Sequence, residues 1–188
     1  FKKYPSKTVD KILQRVSYPI LAEIQNDPTR LLVGFRKTIK ITSMIVFPMM
    51  LGLASLANPI ILTLIGEKWL PAVSYLQLLC VASMTYPLQS LNLTLAKVKG
   101  QSDLVLRLEM WKILLIIPII LFGIKFGLQA MIIGMIIHSL LVYFISIYYC
   151  GLLNNYSMKE QIGDIFPPLI SSFAMLLLVL LTQRVLVL

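Results

Sequence analysis

Three cations repeat at helical spacing near the start of the chain: Lys7, Lys11 and Arg15. Residues four apart share a helix face, where like charges repel by a few tenths of a kcal/mol. At membrane depth each charge costs ~2.5 to 3.5 kcal/mol on insertion scales. Something must offset that cost. One reading is a water-filled cavity facing a phosphate-bearing substrate, in which Arg15 makes a bidentate contact. The other is snorkelling of the side chains to a headgroup layer, with Asp10 offsetting part of the charge. Gln89 and Asn92 lie three residues apart in an otherwise apolar stretch just after Pro87. They could hydrogen-bond sugar hydroxyls, or join helices, the commoner use of amides in membranes.

Bond-making chemistry has no comparable set of residues. His138 sits in an apolar run with no acid or thiol near it in sequence, which reads as a structural histidine rather than a proton relay. The chain has no glycine-rich phosphate loop, metal-ligand spacing or nucleophile elbow, so the expectation is a protein that is not an enzyme and needs no cofactor. Acidic residues fall in loops and interfacial segments, apart from Asp10 and Glu23 on the first helix. Cys80 and Cys150 lie in or at the end of apolar runs and read as small packing residues.

The elements that must position these residues are membrane spans. Of the 188 residues, 58% are hydrophobic and 13% charged, and the mean hydropathy is +0.85, which fits a polytopic integral membrane protein. The net charge of +9 clusters between apolar runs. Membrane topology explains that pattern, and nucleic acid does not. From Ile41 to Ile65 no side chain is charged, long enough to cross a ~30 Å hydrocarbon core with some tilt. Pro48 and Pro59 interrupt this run, Gly66 can supply a left-handed cap, and Trp69 is placed for the headgroup region. The run from Trp69 to Ala96 is again uncharged, with Pro87 near its middle.

The expected architecture is all-α, a polytopic transmembrane helical bundle of about six helices. The spans fall at about 6–25, 38–65, 70–96, 106–124, 127–152 and 166–186. Ile12, Val16, Ile20 and Ile24 form the apolar stripe of the first. Asp27 is a candidate cap for the helix beginning near Pro28. Asp103 with Arg107 and Glu109 with Lys112 are spaced to pair along a helix. Tyr148, Tyr149 and Tyr156 read as an interfacial aromatic belt, Lys159 to Asp164 as a short surface helix, and Pro167-Pro168 as the start or kink of the last span.

Several segments resemble a known family. Gln14-Arg15-Val16-Ser17-Tyr18-Pro19, Ile24-Gln25-Asn26-Asp27-Pro28, Leu64-Ile65-Gly66-Glu67-Lys68-Trp69-Leu70-Pro71-Ala72 and Lys99-Gly100-Gln101-Ser102-Asp103-Leu104 are similar to lipopolysaccharide biosynthesis proteins of the polysaccharide transport family. These are Wzx-type oligosaccharide flippases of the multidrug/oligosaccharidyl-lipid/polysaccharide (MOP) superfamily. The resemblance covers nearly the whole chain and implies half of a two-bundle flippase fold, with the N-terminal half of the same transporter missing. The absent initiator Met and signal pattern also lead us to expect a truncated start.

The resemblance further implies a multi-pass protein of the bacterial cytoplasmic membrane. Its partners would be the lipid bilayer and a polyprenyl-diphosphate-linked oligosaccharide, flipped to the outer leaflet by alternating access. Lys7, Lys11, Gln14, Arg15, Gln89 and Asn92 are then the candidate substrate-binding residues. The alternatives are an exporter of another amphipathic substrate and a membrane-embedded polysaccharide polymerase or ligase. The latter would need a long outer loop bearing Arg or His.

Basic residues alternate between successive connections. Arg30, Arg36, Lys37 and Lys40 precede the second span, Lys68 follows it, Lys97, Lys99, Arg107 and Lys112 come next, and then Lys125 alone. The positive-inside rule places 26–40, 97–112 and 154–164 in the cytoplasm. A cysteine at position 100, in a background lacking Cys80 and Cys150, should therefore resist an impermeant reagent applied from outside. Its labelling in intact cells would contradict the orientation.

Overall fold

The computed structural model describes residues 15–186. Among these residues there are helices and turns and no strands. Among the described residues, helix α1 occupies 15–23. It is followed by α2 (Pro28–Ser55), α3 (Ala57–Leu64), a 3₁₀ turn (Glu67–Trp69), α4 (Ala72–Ser83), α5 (Tyr86–Val98), α6 (Ser102–Phe126), α7 (Leu128–Asn154) and α8 (Met158–Leu186). Among the described residues α2, α7 and α8 (the last over 158–179) are long and apolar enough to span a membrane. The protein is an all-α helical bundle.

Local sequence sets the ends of these helices. Asp27 caps α2, its Oδ1 accepting from the backbone of Thr29 and Arg30 at 3.0 Å each, so two of the helix's orphan N–H groups are satisfied. Pro28 at the first position costs no hydrogen bond. Gly66, with φ +104°, turns the chain out of α3 while its N–H bonds the Ile61 carbonyl at 2.9 Å. Gly127, at φ +89°, makes the turn between α6 and α7.

The two uncharged runs each form two helices. Pro59 cannot donate to the carbonyl of Ser55, and the first run divides at Leu56. Pro87 cannot donate to Ser83, and the second divides at Met84 and Thr85. Both residues of that second break keep near-helical dihedrals, so α4 and α5 are two pieces of one bent helix. Pro48, Pro118 and the pair Pro167-Pro168 lie inside continuous helices.

The most extensive helix pairs are α2 with α8 and α6 with α7, and α7 also packs on α4 and α5. Phe35, Leu31, Ile39 and Leu21 are fully buried with Leu88, Leu91, Leu95, Ile147 and Tyr156. This core lies toward the end of the bundle where α2, α7 and α8 meet. Glycines bring α6 onto α7: a Cβ at Gly134 would meet Ile119 at 2.7 Å, and one at Gly123 would meet Met131 at 2.7 Å. By contrast most of the rest of α6 is exposed apolar surface, as suits a helix at the rim of a bundle in lipid.

The segment 159–164 differs from the sequence expectation. It is the opening of α8 itself, continuous with the helix through Pro167 and Pro168. A capping box begins it: Ser157 N–H bonds Glu160 Oε2 at 3.0 Å, and Glu160 N–H bonds Ser157 Oγ at 3.3 Å. Gln161 and Asp164 are buried against the neighbouring helices, so this turn is part of the bundle and not a surface helix.

Candidate functional site

The cationic stripe read from the sequence is only partly within the described residues. Lys7, Lys11 and Gln14 lie outside them. Arg15, the first described residue of α1, is exposed, with no ion pair among the described residues. Farther along α1, Ser17 and Leu21 turn into the bundle, while Val16, Tyr18 and Ile20 face outward.

Gln89 and Asn92 are buried on α5 and tie it to α7 and α8. The Gln89 amide donates to the Ser139 carbonyl at 2.8 Å and to Thr85 Oγ1 at 3.2 Å. Asn92 Nδ2 donates to Ser146 Oγ at 3.0 Å, and its Oδ1 accepts from Gln161 Nε2 at 3.1 Å. Ser146 in turn donates to the Tyr143 carbonyl at 2.7 Å. In a low-dielectric interior such bonds join helices, because separating them would strand polar groups. His138 serves the same purpose at the α6–α7 contact, donating from Nε2 to the Lys112 carbonyl at 3.1 Å.

The densest charge cluster in the described residues lies where α2 meets α8. Asp164 is 6% exposed. Arg36 grips it as a fork, Nε to Oδ2 at 2.7 Å and a terminal nitrogen to Oδ1 at 3.1 Å. Lys40, one turn further along α2, reaches Oδ1 at 3.1 Å, and the Tyr156 hydroxyl donates to Oδ2 at 2.7 Å. Glu160, one turn before Asp164, lies 3.5 Å from Arg36. The guanidinium also sits 5.3 Å from the centroid of the Tyr156 ring, within cation–π range.

Tyr156 is fully buried, and its place is made by the turn before α8. Asn155 adopts the left-handed conformation at φ 50° and ends α7. The Tyr156 carbonyl then lies against Gly151, where a Cβ would approach it to 2.9 Å, so no larger residue fits without movement. The phenol ring meets Phe35 edge-on, with centroids 6.1 Å apart. Burial first, and then the bond to the Asp164 carboxylate, push the Tyr156 phenol above its usual range. It therefore stays a neutral donor throughout the working pH range. Tyr148, 59% exposed, keeps the outward place expected of an aromatic belt, whereas Tyr156 leaves the belt for the core.

Lys99 closes the same end of the molecule, its ammonium bonding the Leu153 carbonyl in the last turn of α7. A cation there complements the helix dipole. Burial lowers the pKa of Lys99.

From the sequence, Arg36 and Lys40 enter only as basic residues before the second span, and Glu160 and Asp164 only as part of a short surface helix. A signal was available: two cations four apart on one helix and two acids four apart on another make complementary ladders.

Comparison with known proteins agrees with the membrane architecture. Residues 1–74 match the family model described as polysaccharide biosynthesis protein. A protein of Klebsiella pneumoniae described as an uncharacterized membrane protein in the cps region is 33% identical over 181 residues, 94% of this chain and 37% of its own. The lipopolysaccharide biosynthesis protein WzxC of Escherichia coli is 33% identical over 76% of this chain and 28% of its own. Over these stretches the chain is similar to polysaccharide biosynthesis proteins of this kind. The teichuronic acid biosynthesis protein TuaB of Bacillus subtilis is 31% identical over 53% of this chain and 21% of its own length. The chain thus spans little more than a third, or less, of the length of these relatives. No solved structure matches it.

Removing the Tyr156 hydroxyl isolates one bond of the cluster. Tyr156→Phe keeps the ring against Phe35 and Arg36 and should cost about 1.5 to 3 kcal/mol, the range for a hydrogen bond to a charged acceptor. Tyr156→Ala should cost about 3 to 5 kcal/mol, because it also leaves a cavity. Unfolding in detergent checks both, and a Phe variant as stable as the parent would show that the hydroxyl adds nothing.

Proposed function

We propose that the chain is part of a multi-pass transporter of the bacterial cytoplasmic membrane. The transporter moves a polyprenyl-diphosphate-linked oligosaccharide from the inner to the outer leaflet by alternating access and makes no covalent change to it. Support comes from the polysaccharide biosynthesis family match, from the names of the relatives, and from a bundle of long apolar helices. A polymerase or ligase would need a long outer loop, and the connections at 65–71 and at residue 127 are short.

Arg15 carries the substrate assignment. It is an exposed guanidinium in a membrane bundle, without an ion pair among the described residues, and a planar fork of this kind suits a diphosphate. Lys7, Lys11 and Gln14 are assigned to the same face by helical spacing. Gln89 and Asn92 are assigned to joining helices, since a sugar could reach their amides only by replacing the bonds to Ser139, Ser146 and Gln161.

In the full-length protein, Arg15→Ala should strongly reduce export of the lipid-linked glycan at matched membrane abundance. Arg15→Lys should rescue it only in part, because the fork is lost. Lys68→Ala, in the exposed turn after α3, serves as the control and should leave export unchanged. Wild-type export by Arg15→Ala would reject the assignment.

A further inference from the structure

Four residues in the first half of α6 are charged, and they have different fates. Glu109 and Lys112 pair with each other at 2.9 Å. Asp103 and Arg107, spaced to do the same, form no ion pair. Arg107 instead lines a cavity of about 540 Å³ with Met110, Trp111, Ile113, Leu114 and Ile117. That volume is in the range of small-molecule and lipid-chain sites. Among the described residues, the rest of the lining is apolar.

The order of these residues along α6 matches an amphiphile. Arg107 lies toward the helix end that the basic residues place in the cytoplasm. Trp111 follows it by one turn, where an indole prefers the interface. Ile117 lies about 15 Å deeper along the axis at 1.5 Å per residue. A cation without an ion pair among the described residues, at the level of lipid phosphates and above a stripe of apolar side chains, complements an anionic head and its acyl chain.

We propose that this groove binds an anionic glycerophospholipid of the cytoplasmic leaflet. Arg107 holds the phosphate, Trp111 lies along the glycerol region, and Ile113, Leu114 and Ile117 receive an acyl chain. The proposal does not depend on what the protein exports.

Trp111 supplies the readout. In full-length protein with every other tryptophan replaced by phenylalanine, reconstituted in bilayers, phosphatidylglycerol with brominated acyl chains should quench Trp111 better than brominated phosphatidylcholine. The relative affinity should be about fivefold, as expected for one basic residue at an anionic surface. Arg107→Gln should bring the ratio to about one and Arg107→Lys should retain most of it, while Lys68→Ala should not change it. Equal quenching by the two lipids, or a preference that survives Arg107→Gln, would overturn the proposal. Displacement of the brominated phosphatidylglycerol by an equimolar long-chain polyprenyl phosphate would also overturn it, and would assign the groove to that lipid.

Discussion

A carboxylate placed inside a helical bundle near a membrane must be compensated or it will not stay ionised there, and Asp164 is compensated from three sides. Arg36 and Lys40 approach from α2, and Tyr156 approaches from the turn that feeds α8. Desolvation of the charges is offset only because nearly every lone pair of the carboxylate has a donor. The geometry also sets the register of α2 against α8, since Arg36 and Lys40 are one turn apart and so are Glu160 and Asp164. Sliding either helix by a turn would leave one carboxylate unpaired.

Other features of this end follow from that register. Tyr156 can donate only if α7 stops where it does, which requires the left-handed Asn155 and a residue without a side chain at 151. The same turn brings Gln161 beneath Asn92, so the α5–α7–α8 amide contacts depend on it. Lys99, bonded to Leu153, draws the end of α5 to the end of α7. The starts of α2 and α8 and the ends of α5 and α7 therefore gather at one side of the bundle, the side to which the charge distribution assigns the cytoplasm. Arg36, Lys40 and Tyr156, all bonded to Asp164, tie α2 to α8 beside the turn that ends α7.

The all-α bundle with long apolar helices was legible because absence of charge over a long run has one physical meaning in so apolar a chain. Their divisions were less legible. Each proline removes a backbone donor, yet Pro59 and Pro87 divide their runs while Pro48, Pro118, Pro167 and Pro168 do not. No single-helix rule separates the two sets. The sequence places Asp164 in a short surface helix, because the double proline after it suggests that a new helix starts there. The capping box at Ser157 and Glu160 marked the true start ten residues earlier. Tyr156 is the same error in another form: next to two surface tyrosines, composition alone gives it a surface place.

The central claim is that Arg36 and Asp164 hold α2 to α8 as a coupled pair. It is tested most directly by a double-mutant cycle of Arg36→Ala and Asp164→Ala, read as unfolding free energy in detergent. Coupling of about 1 to 3 kcal/mol is expected for residues in direct contact within one charge cluster, with the lower half favoured because the Arg36 side chain keeps 34% of its exposure. Additive effects, with coupling near zero, would mean that α2 and α8 are held by apolar packing alone.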